Sequence, residues 1–191
     1  MDERPDGLLV GEARRGDREA FAELVRRHER RVYGLVFRMV RDHSDADDLA
    51  QEVFLTAFKS IAAFRQGASF STWVYRIAVN LSLTFLKRKR REKGRAEFRE
   101  DLVVGGTERG LSASPEDRST MNELKSRIDE AVDALPGHFR ASFLLVAAEG
   151  LSHAEAAEVL GCSENTVSWR MHKARKLLRA RLSPFLGEVR P

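Results

Sequence analysis

Apolar residues recur every three or four positions along most of this chain and nowhere alternate one in two, so the pattern predicts helices and no strands. From Asp17 onward, Phe21, Leu24, Val25, Val32, Leu35, Val36 and Met39 draw one apolar stripe along an otherwise charged segment, a helix over about 17–41. Asp42-His43-Ser44 interrupts it. Ala46, Leu49, Ala50, Val53, Phe54, Ala57, Phe58 and Ile61 then keep the rhythm without a miss, with Ser44 and Asp47 spaced as a capping box. Beyond the polar turn Phe64-Arg65-Gln66-Gly67-Ala68-Ser69, Ser71 is placed to cap a third helix carrying Trp73, Val74, Ile77, Ala78, Leu81 and Phe85. These three helices form one compact unit.

The third helix runs into Lys87-Arg88-Lys89-Arg90-Arg91-Glu92-Lys93-Gly94-Arg95, seven bases and one acid in nine positions. The character then reverses, with ten acids against five bases over 96–133, and the stretch VGGTERGLSASP at 104–115 has the composition of a flexible linker. The predicted organisation is therefore a helical domain at 1–93, a linker at 94–118 and a second helical domain at 119–187. In the second, Met121, Leu124, Ile128, Val132 and Leu135 share a helix closed by Pro136-Gly137, and Phe139, Phe143, Leu144 and Ala147 lie on another ending near Gly150.

Ser152 and Glu155 are spaced as a capping box that opens a short helix through Ala156, Ala157, Val159 and Leu160, which Gly161 ends. Ser163 caps a longer helix over about 164–182, so a tight turn joins two helices as in a helix-turn-helix. Ala157, Gly161 and Val167 fit its steric needs: a small residue where helices touch, glycine at the turn, a branched apolar residue seating the second helix. Between 164 and 181 that helix carries six bases, Arg170, Lys173, Arg175, Lys176, Arg179 and Arg181, and a single acid, Glu164. A basic helix alone could simply be solvated, its bases favouring the helix dipole. Joined to that turn, it points to DNA.

Composition narrows the classes. The 191 residues are 42% hydrophobic and 32% charged, with 33 Lys+Arg against 29 Asp+Glu, so the uneven distribution of charge carries more information than the net +4. The single cysteine, Cys162, excludes an intramolecular disulfide framework and a multi-cysteine zinc site, as expected of a reducing, cytoplasmic compartment. The N-terminus lacks a basic start and apolar core of a secretion signal, and no apolar run approaches the roughly 20 residues that span a bilayer. His28, His43, His138, His153 and His172 form no H-x3-H metal pair, and no glycine loop precedes a helix as in a phosphate-binding loop. No catalytic residue, metal, cofactor or small-molecule substrate is expected.

Three segments in register carry a family likeness: Asp45-Ala46-Asp47-Asp48-Leu49-Ala50-Gln51-Glu52-Val53-Phe54, then Phe70-Ser71-Thr72-Trp73-Val74-Tyr75-Arg76-Ile77-Ala78-Val79-Asn80, then the helix-turn-helix. Over about residues 10–185 the chain resembles an extracytoplasmic-function (ECF) sigma factor of the sigma-70 family, a transcription-initiation subunit of bacterial RNA polymerase. The resemblance implies an all-α protein of two small DNA-binding domains and a linker. Its implied partners are core RNA polymerase, through the beta-prime clamp helices and the beta flap, promoter DNA, and an anti-sigma factor that covers both domains.

The same resemblance assigns roles. Asp45, Asp47, Asp48, Gln51 and Glu52 would dock on polymerase, while Leu49, Val53 and Phe54 have core packing as their simpler reading. Phe64, Arg65, Ser69, Phe70, Ser71, Trp73, Arg76, Asn80, Lys87 and Arg88 would melt and hold the minus-ten element, whose extruded base must regain a few kcal/mol of lost stacking. Asn80 offers a donor and an acceptor for a base edge. Trp73, an aromatic at helical spacing, reads as core before it reads as a base platform, and the 87–91 run could be solvated charge, though its place at the end of this helix favours phosphate contact. Thr166, Ser168, Trp169, Arg170, His172, Lys173 and Arg175 would face the minus-thirty-five element, although Ser168 and His172 stand where the family commonly has arginine. The residues leave one other class open, a helix-turn-helix regulator that binds duplex DNA without joining polymerase.

Overall fold

The computed structural model describes residues 4–64, 67, 69–97 and 116–186 and contains, among them, helices and turns without a strand. Most of the expected linker, 98–115, lies outside the described residues. The N-terminal half comprises α1 (Asp6–Arg14), α2 (Arg18–Val40), α3 (His43–Ser60), a 3-10 turn (Ile61–Ala63) and α4 (Phe70–Glu97). The C-terminal half comprises α5 (Glu116–Asp133), α6 (Gly137–Phe143), a π-helical turn (Leu144–Ala148), α7 (His153–Leu160) and α8 (Glu164–Leu186).

Local chemistry sets the boundaries. Asp17 caps α2 by accepting from the N–H groups of Glu19 and Ala20, and Arg41, in the left-handed region at φ 61°, ends it. The expected box of Ser44 and Asp47 does not start α3. Asp42 does so instead, accepting from the Asp45 N–H at 2.9 Å, because it stands three residues before a free helix amide. Likewise Ser69, not Ser71, caps α4: its Oγ accepts from Thr72 N–H at 3.0 Å. The α7 box is as expected, with Ser152 and Glu155 bonded reciprocally, and Gly161 supplies the left-handed φ of 59° at the turn.

Leu24, Val32, Leu35 and Met39 of α2 pack with Val53 of α3 and Val74 of α4 in the N-terminal core. The sequence pattern indicated no element before Asp17, yet α1 folds onto α2. Its Asp6 Oδ2 lies 2.6 Å from His28 Nε2, and Leu9 and Val10 are buried. In the other half, Val167, Met171, Ala174 and Leu178 form the buried stripe of α8 against Leu145, Ala156 and Val159.

The halves touch: α4 packs against α6 and α7, and α2 against α6. Gly137 permits the approach, because a Cβ there would sit 3.1 Å from Leu83 Cδ2. Polar groups complete the seam. Arg41 Nε donates to Asp133 Oδ2 at 2.6 Å, buried Arg140 donates through Nη1 to the Met39 carbonyl at 2.8 Å, and Arg38 pairs with Glu149.

Candidate polymerase and promoter interfaces

The inward face of α3 (Ala46, Leu49, Val53, Ala57) is consumed by the core, so its other faces are what a partner meets. Together with α2 it forms an open groove of about 770 Å³, lined by Phe21, Val25 and Tyr33 from α2 and by Gln51, Leu55 and Phe58 from α3. Leu55 is 59% and Phe58 44% exposed, so the groove presents two large apolar side chains to solvent. Asp47 and Gln51 lie on the groove, and Asp48 and Glu52 are solvent-facing beside it on α3. Asp45 is drawn away, accepting from Lys89 Nζ of α4 at 2.6 Å. The expectation of an acidic docking face therefore gains an apolar floor. Leu55 is the residue sequence reasoning missed, and its signal was a large aliphatic falling outside the α3 stripe.

At the start of α4 the aromatic side chains divide. Phe64 and Phe70, expected on the minus-ten surface, are core residues only 6% and 3% exposed, because the chain entering α4 closes the bundle with them. Their rings flank half-buried Trp73 with centroids at 5.2 and 5.8 Å, so Trp73 combines packing with a partly open surface. Ser69 Oγ is also within 2.9 Å of Ser71 Oγ, leaving both hydroxyls in a local network at the helix start. Arg65 lies outside the described residues. Arg76 and Asn80 are exposed and follow Trp73 by three and seven positions, one stripe of the helix surface. Lys87 continues that stripe, and Arg88 lies over the Phe85 ring at 5.6 Å; both are exposed.

In the helix-turn-helix, Ser163 Oγ accepts from Thr166 N–H at 3.2 Å and bonds its hydroxyl at 2.8 Å, so Thr166 belongs to the cap of α8. Arg170 turns back toward the turn, with Nη1 3.7 Å from Cys162 Sγ. Ser168, Trp169, His172, Lys173 and Arg175 face solvent as expected of a reading helix. Two of them are already held: Ser168 Oγ shares a 2.8 Å hydrogen bond with His153 Nδ1, and Trp169 meets Phe139 edge-on at 5.6 Å with Lys173 Nζ 5.9 Å from its ring. Among the described residues no His, Cys, Asp or Glu cluster could hold a metal ion, and no helix is long and apolar enough to cross a membrane.

Comparison with known proteins decides what these surfaces belong to. The profile of Sigma-70 region 2 matches residues 24–92, and that of Sigma-70, region 4 matches residues 125–178. The chain is 33% identical over 192 residues to the RNA polymerase sigma-H factor of Pseudomonas aeruginosa, covering 99% of this chain and 100% of that one. It is 34% identical to the ECF RNA polymerase sigma-E factor of Haemophilus influenzae, covering 95% and 97% of the two chains. It belongs to the ECF sigma factors. This sigma factor also resembles the solved structure of CnrH in complex with the cytosolic domain of CnrY, at TM-score 0.69 and 26% identity, covering 94% and 97% of the chains. Its fold is shared with RpoE from Bartonella quintana, solved with the anti-sigma factor NepR, at TM-score 0.63 and 20% identity, over 85% and 96%. All the groove residues named above except Phe21, together with the α4 stripe, lie within the region 2 match, and the reading face of α8 lies within the region 4 match.

Proposed function

We propose that this sigma factor directs core RNA polymerase to promoters through three surfaces. The α2/α3 groove, apolar at Leu55 and Phe58 and acidic around Asp47, Asp48 and Glu52, receives the polymerase. The stripe of Trp73, Arg76, Asn80 and Lys87 engages the minus-ten element, and Ser168, Trp169, His172, Lys173 and Arg175 engage the minus-thirty-five element. The observation that carries this reading is the groove itself: two large exposed apolar side chains rimmed by carboxylates, on the same domain as a solvent-facing stripe of α4 suited to nucleic acid.

The protein does no chemistry of its own in this reading and works in the cytoplasm, where polymerase is. An inhibitory protein partner is expected because CnrH was solved with the cytosolic domain of CnrY and the RpoE of Bartonella quintana with an anti-sigma factor. Run-off transcription with purified core polymerase across a promoter library tests the proposal. Specific start sites that require this chain support it, and binding to duplex DNA without any core-dependent initiation overturns it.

A further inference from the structure

Ser168 and His153 meet across the helix-turn-helix. The Ser168 Oγ lies 2.8 Å from His153 Nδ1, a contact between the second turn of α8 and the first residue of α7, 15 positions earlier. Both ends of it are held. The box of Ser152 and Glu155 fixes the start of α7, and the wholly buried Val167 beside Ser168 seats α8. Ser168 is exposed and shares a stripe of the helix with His172 and Arg175, while His153 is half-buried. A serine hydroxyl has one proton and two lone pairs, so left free it turns to suit either a donor or an acceptor on a base. Bonded to His153 it loses that choice, and the direction of the bond sets what remains for DNA.

The ring itself argues for one direction. The first helix of a helix-turn-helix crosses the phosphate backbone, and His153 opens that helix. Among the described residues no protein group bonds His153 Nε2, so on DNA that nitrogen meets phosphate oxygens, which only accept. A neutral imidazole with its proton on Nε2 offers Nδ1 as an acceptor, and Ser168 donates to it. We infer that His153 is a positioning residue for minus-thirty-five readout: it draws the Ser168 proton away from the groove and leaves an oxygen that can only accept from a base. This rests on the sigma-factor reading above, which puts Ser168 at that element. In the major groove adenine N6 and cytosine N4 carry donors, whereas guanine O6 and N7 and thymine O4 accept. The pinned hydroxyl therefore favours adenine or cytosine at the base it faces and meets guanine or thymine lone pair to lone pair, so it rejects as well as attracts. An arginine in its place would do the opposite, because it only donates.

The test is run-off transcription by core polymerase with the full chain on templates randomised across the minus-thirty-five element. It is read, at each position, as the ratio of initiation on adenine or cytosine to initiation on guanine or thymine. Wild type should show a position with a ratio of about fivefold or more, the worth of a single hydrogen bond, and Ser168→Ala should abolish it. His153→Ala frees the hydroxyl and should bring the same ratio close to unity, with helical circular dichroism and the preferences at other positions unchanged. His153→Asp, whose carboxylate only accepts, should keep the preference although its charge lowers initiation on every template. In a Ser168→Ala background, His153→Ala should alter no base preference, a result that a residue reading a base for itself, or one that merely supports the fold, would fail to give. A ratio that Ser168→Ala leaves unchanged, equal effects of His153→Ala in both backgrounds, or a preference reversed by His153→Asp overturns the inference. Absence of any core-dependent initiation by wild type overturns the sigma-factor reading instead, and the same ratio taken from random duplexes bound by the chain alone still judges the pair.

Discussion

Tyr75 and Glu149, 74 residues apart, are joined by a 2.7 Å hydrogen bond that the phenol donates. Burial, reinforced by the neighbouring carboxylate, pushes the Tyr75 hydroxyl well above its ordinary 10.0, so it stays a protonated donor at any pH the protein meets. Tyr75→Phe keeps the ring in the core and deletes only the donor. A hydrogen bond to a charged acceptor contributes about 1.5–3 kcal/mol, so urea unfolding should lose stability of about that size, with little change in the denaturant slope.

The groove makes a prediction in which fold and docking separate. Leu55→Asp should cost little stability because the side chain is already 59% exposed. Core binding, read by anisotropy of labelled protein titrated with polymerase, should weaken at least tenfold, the equivalent of about 1.4 kcal/mol. Reversing Asp48 and Glu52 to lysine together should weaken it in the same direction. Unchanged affinity in both variants would place the docking surface elsewhere.

On α4, neighbouring residues should give opposite phenotypes. Asn80→Ala should lose roughly 1–3 kcal/mol of discrimination at one minus-ten base, seen by run-off transcription on templates varied at that base, while the fold is untouched. Phe64→Ala should do the reverse, costing about 3–5 kcal/mol of stability through an unfilled core with no change of base preference per folded molecule. A shift of base preference by Phe64→Ala would return that ring to the DNA surface.

Much of this was legible in the sequence for a definite reason. The α3 stripe and the two helices of the helix-turn-helix bury faces whose partners are local, so periodicity and caps such as Ser152 and Glu155 mark them. Phe64 and Phe70 misled because a residue flanking a glycine turn reads as loop, whereas these two close the bundle from either side of it. Helix α1 was invisible because nine residues with three buried side chains carry little rhythm, and its anchor is the pairing of Asp6 with His28. The interdomain seam joins polar residues such as Arg38 and Glu149, 111 positions apart, and no local pattern reports that.

Acid should loosen the helix-turn-helix through its cap. The Ser152 amide and hydroxyl both donate to Glu155, holding its carboxyl below the ordinary 4.5. A carboxylate depressed in the folded state contributes stability that is present above pH 4.5 and is lost as pH falls through the lower folded value. Asp133 has the opposite sign, because burial raises its carboxyl above 3.8 despite the pull of Arg41, so protonating it favours the folded state. The protection of amides at the start of α7, taken as the exchange rate relative to the intrinsic rate of an unfolded chain at the same pH, should therefore fall as the solution is acidified below pH 4.5. Glu155→Gln, which still reaches the Ser152 amide but does not titrate, should exchange faster than wild type at neutral pH and flatten the dependence. An equal pH dependence in wild type and variant would show that another group controls acid opening of the turn.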